Sequence, residues 1–458
     1  MTTEAAERLG TRALLNMLGD WATGDGASLH GRLGDAFRQA ITTGVLPAGV
    51  VLPSERTLAR SLGVSRSTIT ATLGELKSEG LLDARHGSGT RVAGDGVGGD
   101  GGGIDLAASS PADARALPDV DVDLDALMQA GSRHGYTPAG LPELRAAVAE
   151  RFTTDGLETE ADQILITNGA QHALALAFAH FAGPGDRMIV DEPTYPGVVD
   201  LLAARQLEPL PLARVEGGID VAGLGRLVRA NDCRLAYLQT SVHNPTGFVA
   251  DDADIRRLAD TVTRLGLTVI EDLVLGDLRF DGRRPRPLAA LAPATVVVGS
   301  VSKLGWGGLR IGWLRASGRV VDQMVRSRLA DDLGSSIPSQ VISAALLSNF
   351  DVMAESRQRT LARRAGMAQE LLGDLCPGWQ VAEPRGGLSL WIDLGSPVAA
   401  TLAHRSAAEG VTIATGDAAS VDGNGSSFIR LCFDRPEPQL REGLQRLARA
   451  WRTMATGA

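Results

Sequence analysis

Between Ala93 and Gly103, seven of eleven residues are glycine and two are aspartate. Such a stretch has almost no apolar surface to bury and much backbone entropy to lose on ordering. It reads as a flexible linker, and it forces the 458-residue chain to fold as separate bodies on either side. We read an N-terminal arm over 1–27, a compact head over 28–92, a linker over 93–118 and a body over 119–458. In the arm, Leu14, Leu18 and Trp21 are spaced four then three apart, one face of a helix that packs on a neighbouring domain.

Composition narrows the class. The three cysteines, Cys233, Cys376 and Cys432, lie far apart with no C-x-x-C pair. That spacing excludes a disulfide framework and a zinc cluster, and it fits a reducing cytoplasm. No run approaches the roughly 18–20 apolar residues of a membrane helix. The opening MTTEAAERLG lacks a basic-then-apolar leader, so a soluble cytoplasmic protein is expected. Net charge is −9. Gly26–Val92 nevertheless carries eight basic residues against five acids, which leaves the remainder at −12. A mildly basic module on an acidic body points to divided labour.

The head has helix-turn-helix logic. Ser54 is placed to cap a helix carrying Leu58 and Leu62, Gly63 permits a tight turn, and Ser65 caps the next helix. Arg66, Thr68 and Thr70 then stand near the start of that second helix, where such motifs meet base edges. Arginine suits guanine, and Ser65 and Thr68 suit phosphates or bases. The tip Arg85-His-Gly-Ser-Gly-Thr90 between short strands reads as a wing. The L-P-S-E-R, G-V-S-R-S-T and G-S-G-T segments, in that order, resemble the winged helix-turn-helix of the GntR family of bacterial regulators. The resemblance implies DNA contacts from Arg56, Ser65, Arg66, Thr68, His86 and Gly87.

In the body, short apolar runs alternate with helical patterns. Strands are expected at Gln163–Thr167, Arg187–Val190, Arg234–Gln239, Leu267–Glu271 and Thr295–Gly299, with helices such as Ala170–Phe181 and Asp251–Leu265 between. The alternation predicts a mostly parallel sheet wrapped by helices, followed by a smaller α+β lobe with strands near Leu388–Ile392 and Phe428–Phe433.

Only Lys77 and Lys303 interrupt the use of arginine as the cation of choice. An amine, unlike a guanidinium, can lose its proton and form an imine. Lys303 ends an apolar strand among hydroxyls and glycines, a plausible Schiff-base lysine for pyridoxal phosphate (PLP), with Ser300, Ser302 and Arg310 as phosphate ligands. Asn168-Gly-Ala-Gln171 lies at a strand-to-helix turn, an anion site. Asp272 ends a strand, where its carboxylate pairs with a pyridinium nitrogen or simply caps a helix. Asn244 in N-P-T-G donates to a phenolic oxygen or makes a turn. Tyr195 stacks on a flat ring or packs in the core. Arg430 interrupts the strand Phe428–Phe433, and either a ligand carboxylate or an internal acid must offset its burial.

Together G-Y-T-P-A-G-L (Gly135–Leu141), N-G-A-Q, D-E-P-T-Y, N-P-T-G, E-D, S-x-S-K and the late arginine resemble the fold-type I aminotransferases, across roughly 120–455. The resemblance implies that Lys303 holds PLP as a Schiff base, Asp272 meets the ring nitrogen, and Asn244 meets the phenolic oxygen. It implies stacking by Tyr195 and phosphate contacts from Ala170, Gln171, Ser300, Ser302 and Arg310. Arg430 would take a substrate-type carboxylate, and Tyr136 would reach the phosphate across a dimer interface. Three positions depart from the family pattern: Val274 replaces a tyrosine, Trp306-Gly307 an Ala-Pro, and Ser389 a histidine.

A winged helix fused to such a body is similar to the MocR subfamily of GntR regulators. That implies a dimeric, PLP-dependent regulator of transcription that binds an operator and senses an amine, an amino acid or PLP itself. A working aminotransferase with a DNA reader, or a body that only dimerises, are the alternatives.

Overall fold

The computed structural model describes residues 11–19, 21, 29–42, 45–46, 50–78, 82–85, 89–92, 103–109, 127, 135–215 and 218–455. They divide into two units. The first comprises 1–104 with 400–412 and 449–458, and the second 105–399 with 413–448.

In the first unit the head is built from α1 (Thr11–Leu18), α2 (Leu29–Thr42), α3 (Glu55–Leu62) and α4 (Arg66–Ser78). Each helix is too short to persist alone, so its apolar stripe supplies the stability. Leu33, Phe37, Leu58, Ile69, Leu73 and Leu76 form one buried cluster. Leu14 and Leu18 of α1 are buried in that same cluster, with Trp21 packed against it. The stretch expected as an arm therefore contributes to the head's core. Ser54 caps α3 by accepting the Thr57 N–H, and Gly63 closes it in the left-handed region at φ 68°. The wing is an antiparallel pair, β1 (Leu82–Arg85) with β2 (Gly89–Val92). Leu82 and Val92 bury its base.

The second unit holds an eight-stranded sheet. Its order is Ile164–Thr167, Gly312–Arg315, Thr295–Ser300, Thr268–Asp272, Leu235–Leu238, Arg187–Glu192, Glu208–Val215 and Gly218–Ile219. The strands from Thr295–Ser300 through Glu208–Val215 pair in parallel, while Gly312–Arg315 runs antiparallel to both neighbours. Parallel strands buried on both faces read as continuous apolar runs, as in Thr295–Ser300. The expected strands all form, with small shifts. Arg187–Val190 runs on to Glu192, and Arg234–Gln239 shortens to Leu235–Leu238. The expected helix Ala170–Phe181 has those bounds. A four-stranded antiparallel sheet, Gln380–Val381, Ser389–Asp393, Phe428–Cys432 and Ala414–Thr415, makes the smaller lobe.

One expectation is corrected. Gly103–Ser109 lies inside the stretch read as free linker, yet Ile104 and Leu106 are 5% and 0% exposed. Two apolar side chains and a set of distant hydrogen-bond partners overcome the flexibility of the glycines before them. Among the described residues no helix is long and apolar enough to cross a membrane, and no His, Cys, Asp or Glu group could hold a metal ion. The three cysteines are buried and form no disulfide among the described residues.

Candidate functional site

The carboxyl ends of parallel strands are where an open sheet leaves a crevice for ligands. Asp272 ends its strand there, Ser300 ends the next, and Lys303 follows Ser300. They line one cavity of about 520 Å³ with Ala170, Gln171, Tyr195, Asn244, Ser302, Arg310 and Arg430. Every site residue expected in the body except Tyr136 is thus brought together. Tyr136 is 57% exposed and does not line the cavity.

The Lys303 amine donates to the Ser109 carbonyl at 2.6 Å. Burial pulls its pKa below the usual 10.5, against the pull of Cys432, and Arg430 acts in the same direction as burial. A buried amine that loses its proton readily is a nucleophile.

Asp272 shares the cavity with Lys303. Its carboxylate accepts Tyr237 Oη at 2.7 Å, Gln239 Nε2 at 3.4 Å and the Val274 N–H at 2.9 Å. Burial raises its pKa, and these hydrogen bonds oppose the rise. Gln239 also receives the Asn244 N–H at 2.9 Å, which ties the N-P-T-G turn to the same carboxylate. Tyr195 precedes the helix Pro196–Arg205. Gly197 makes room for its ring, because a Cβ there would sit 2.6 Å from Tyr195 Cε1.

Arg310 and Ser300 meet a strand-to-helix turn. Gly169 stands at φ 85° and hands the chain to the helix beginning at Ala170. A Cβ on Gly312 would lie 2.5 Å from the Gly169 carbonyl carbon, so only glycine lets that strand approach the helix start. Arg310 Nη2 donates to Asn168 O at 3.0 Å. Ser300 Oγ donates to Ile311 O at 2.7 Å and contacts Ser302 Oγ at 2.8 Å. Free helix N–H groups, two hydroxyls and a guanidinium suit a phosphate.

Arg430 lies on the lobe's strand Phe428–Cys432, opposite Trp391 and Ala414. Burial lowers its pKa. Its partners are neutral: Ala107 O at 2.8 Å and Asn244 Oδ1 at 3.4 Å. Nε is buried without a partner. The internal acid weighed as its counterion is therefore absent from its hydrogen bonds. Of the departures, Val274 and Ser389 line the cavity, and Ser389 Oγ donates to Pro245 O at 3.2 Å. Trp306 is 41% exposed.

In the head, α4 buries Ile69, Thr72, Leu73 and Leu76 and leaves Arg66, Ser67 and Thr70 exposed. Ser65 Oγ accepts the Thr68 N–H at 3.0 Å, which caps α4. Thr70 Oγ1 donates to Glu55 Oε2 at 2.8 Å and locks α3 against α4. Arg56, Ser65 and Arg66 are exposed, and Thr68 is half-buried. His86 and Gly87 lie outside the described residues.

Sequence reasoning missed Tyr237, Gln239 and Ser109. Tyr237 carried a signal, since only three tyrosines occur in the chain and this one lies on an expected strand. Its pairing with Ile270 sets it one strand from Asp272. Ser109 carried none.

The aminotransferase class I and II family profile matches residues 102–447, and the profile of the bacterial regulatory proteins of the gntR family matches 29–92. The chain is 28% identical over 439 residues to the uncharacterized HTH-type transcriptional regulator YdcR of Escherichia coli, covering 87% of this chain and 93% of that protein. It is 28% identical over 332 residues to the 2-aminoadipate transaminase of Thermus thermophilus, covering 70% and 81%. Among solved structures, α-aminoadipate aminotransferase LysN of that organism, complexed with N-(5'-phosphopyridoxyl)-L-leucine, superimposes with a TM-score of 0.71 at 26% identity. That match covers 78% of this chain and 94% of LysN.

Proposed function

The chain belongs to the aminotransferase class I and II family and carries a GntR-family regulatory module ahead of it, and from that premise we propose a PLP-dependent transcriptional regulator. It binds an operator through the head and senses an amine, an amino acid or PLP itself at Lys303. The observation that carries this reading is the Lys303 amine sharing one cavity with the buried Asp272 carboxylate and the half-buried Arg430. Relatives named as HTH-type transcriptional regulators over nearly their whole length support it.

The residues fit PLP. Asp272 is a buried carboxylate whose desolvation a protonated ring nitrogen would offset. Gly169, Ala170 and Gln171 open a bare helix start beside Ser300, Ser302 and Arg310, the donor set a phosphate dianion wants. When bound, PLP supplies an aldehyde and an electron-withdrawing ring. Lys303 would hold the aldehyde through the free amine that burial favours. Asp272, held by Tyr237 and Gln239, would keep the ring nitrogen protonated. Tyr195 would cover the ring face, and Asn244 would donate to the phenolic oxygen. Val274 offers no second donor to that oxygen. Arg430, whose present partners are two uncharged oxygens, takes a ligand carboxylate.

In the head, Arg66 reads a base edge from the start of α4, and Arg56, Ser65, Thr68, His86 and Gly87 contact the duplex around it. Two copies bind a two-fold operator, with the exposed Tyr136 of each reaching toward the phosphate site of the other. A working aminotransferase is the second reading, favoured by the retention of Lys303, Asp272 and Arg430 in one cavity.

The test is the absorption spectrum of the pure chain with PLP, followed by borohydride reduction and peptide mapping. Label on Lys303, together with operator binding that shifts when amino acids are added, supports the regulator. An unlabelled Lys303 contradicts PLP binding at that residue. Multiple turnover with an amino donor and a keto acid favours the enzyme.

A further inference from the structure

The segment Asp105–Ser109 is tied down at every residue. Arg435 Nε donates to Asp105 O at 2.7 Å, and its Nη2 donates to Ala108 O at 2.8 Å. The Cys432 N–H donates to Leu106 O at 2.7 Å. The Asp105 carboxylate caps the Ala107 and Ala108 N–H groups at 2.7 and 3.0 Å. The other two carbonyls meet the cavity's cations: Arg430 Nη2 donates to Ala107 O at 2.8 Å and Lys303 Nζ to Ser109 O at 2.6 Å. Ser109 Oγ is buried without a partner, and Ser109 lines the cavity.

These two contacts are the ones a ligand contests. A carboxylate makes a charge-assisted hydrogen bond to arginine roughly twice as strong as a neutral carbonyl does. Condensation of the Lys303 amine with an aldehyde expels water and leaves that nitrogen at most one hydrogen. Along the chain, the glycine-rich residues 93–102 alone separate Gly103 from Val92 at the end of the wing.

Resting on the function proposed above, we propose that Asp105–Ser109 is a strap serving as an internal stand-in ligand. Its Ala107 and Ser109 carbonyls hold the two cations that an amino-acid carboxylate and a cofactor aldehyde claim. Filling the pocket loosens the strap and alters the anchoring of the linker that leads to the DNA reader. Arg435 and Asp105 are positioning residues, because they hold the strap without lining the cavity.

The experiment uses the full chain loaded with PLP, L-alanine as the probe, and an operator selected from randomised duplex. L-alanine carries both reacting groups with the smallest chiral side chain. Amide hydrogen exchange over residues 105–109 is followed alongside operator affinity. PLP alone, and then L-alanine, should each speed exchange of the strap. Operator affinity should shift by about tenfold with L-alanine. Arg435→Gln should load PLP as the parent does, exchange fast throughout, and bind operator equally with and without L-alanine. Asp105→Ala should do the same and serves if Arg435→Gln does not fold.

Strap exchange that ignores both PLP and L-alanine overturns the proposal. So does an Arg435→Gln chain that loads PLP and keeps the parent's response to L-alanine, or a strap that loosens without moving operator affinity. Failure of the parent to load PLP at Lys303 overturns instead the function on which the strap rests.

Discussion

The head and the body treat their candidate ligand contacts in opposite ways. The head holds Arg56, Arg66 and Ser65 in water, where a cation costs nothing and carries little information by itself. The body buries Asp272 and half-buries Arg430, and desolvation shifts both pKa values. A buried charge is retained against a cost, so its presence argues for a ligand more strongly than exposed arginines do. The head's case rests instead on local geometry. A capped turn sets Arg66 at the exposed start of α4.

This contrast can be broken by mutation. Lys303→Ala should have the largest effect, abolishing the aldehyde-dependent absorption and the borohydride label. Operator binding should stop responding to an added amino acid, although the head still reads DNA with its own residues. Arg66→Ala should cost about 1–3 kcal/mol of discrimination between operator and scrambled duplex, measured by competition binding. PLP loading should not change. If the variant remains as selective as the parent, α4 is not the reading helix.

Tyr237→Phe sharpens the account of the body. It removes a hydrogen bond to a buried carboxylate, a contact worth about 1.5–3 kcal/mol. Asp272 then holds a ring-nitrogen proton less well, so PLP affinity should fall by roughly tenfold or more, read by spectral titration. Retained affinity would put the ring elsewhere. The smallest effect is a shift in pH dependence. Loading requires the free amine of Lys303, so its rate should rise with pH. Because burial lowers the Lys303 pKa, the midpoint should fall below 10.5. A midpoint at or above that value would mean the amine is solvated. Raising salt should weaken operator binding, through counterion release, while leaving PLP loading nearly unchanged.

Much of this was legible in the sequence, for a physical reason. Helix caps and turns are local, so Ser54, Gly63 and Ser65 announced the two helices of the reader. Strand ends were local too. Asp272, Ser300 and Asn244 each follow an apolar run, and a parallel sheet gathers such ends on one side. Pairing across space was not legible. Tyr237 meets Asp272 only because two strands lie side by side in that register. The strap reads as linker in the sequence because its order is imposed by Arg430 and Arg435, which lie 323 and 330 positions from the carbonyls they hold. Arg430 posed a choice between a ligand and an internal acid, and its two hydrogen-bond partners are neutral oxygens supplied from distant positions.

The most direct measurement is one binding titration: the borohydride-sensitive, PLP-loaded chain against its selected operator, with and without an amino acid in the pocket. The account predicts affinities that differ by between about 5- and 150-fold. Equal affinities, with the pocket shown spectroscopically to be filled, would contradict it.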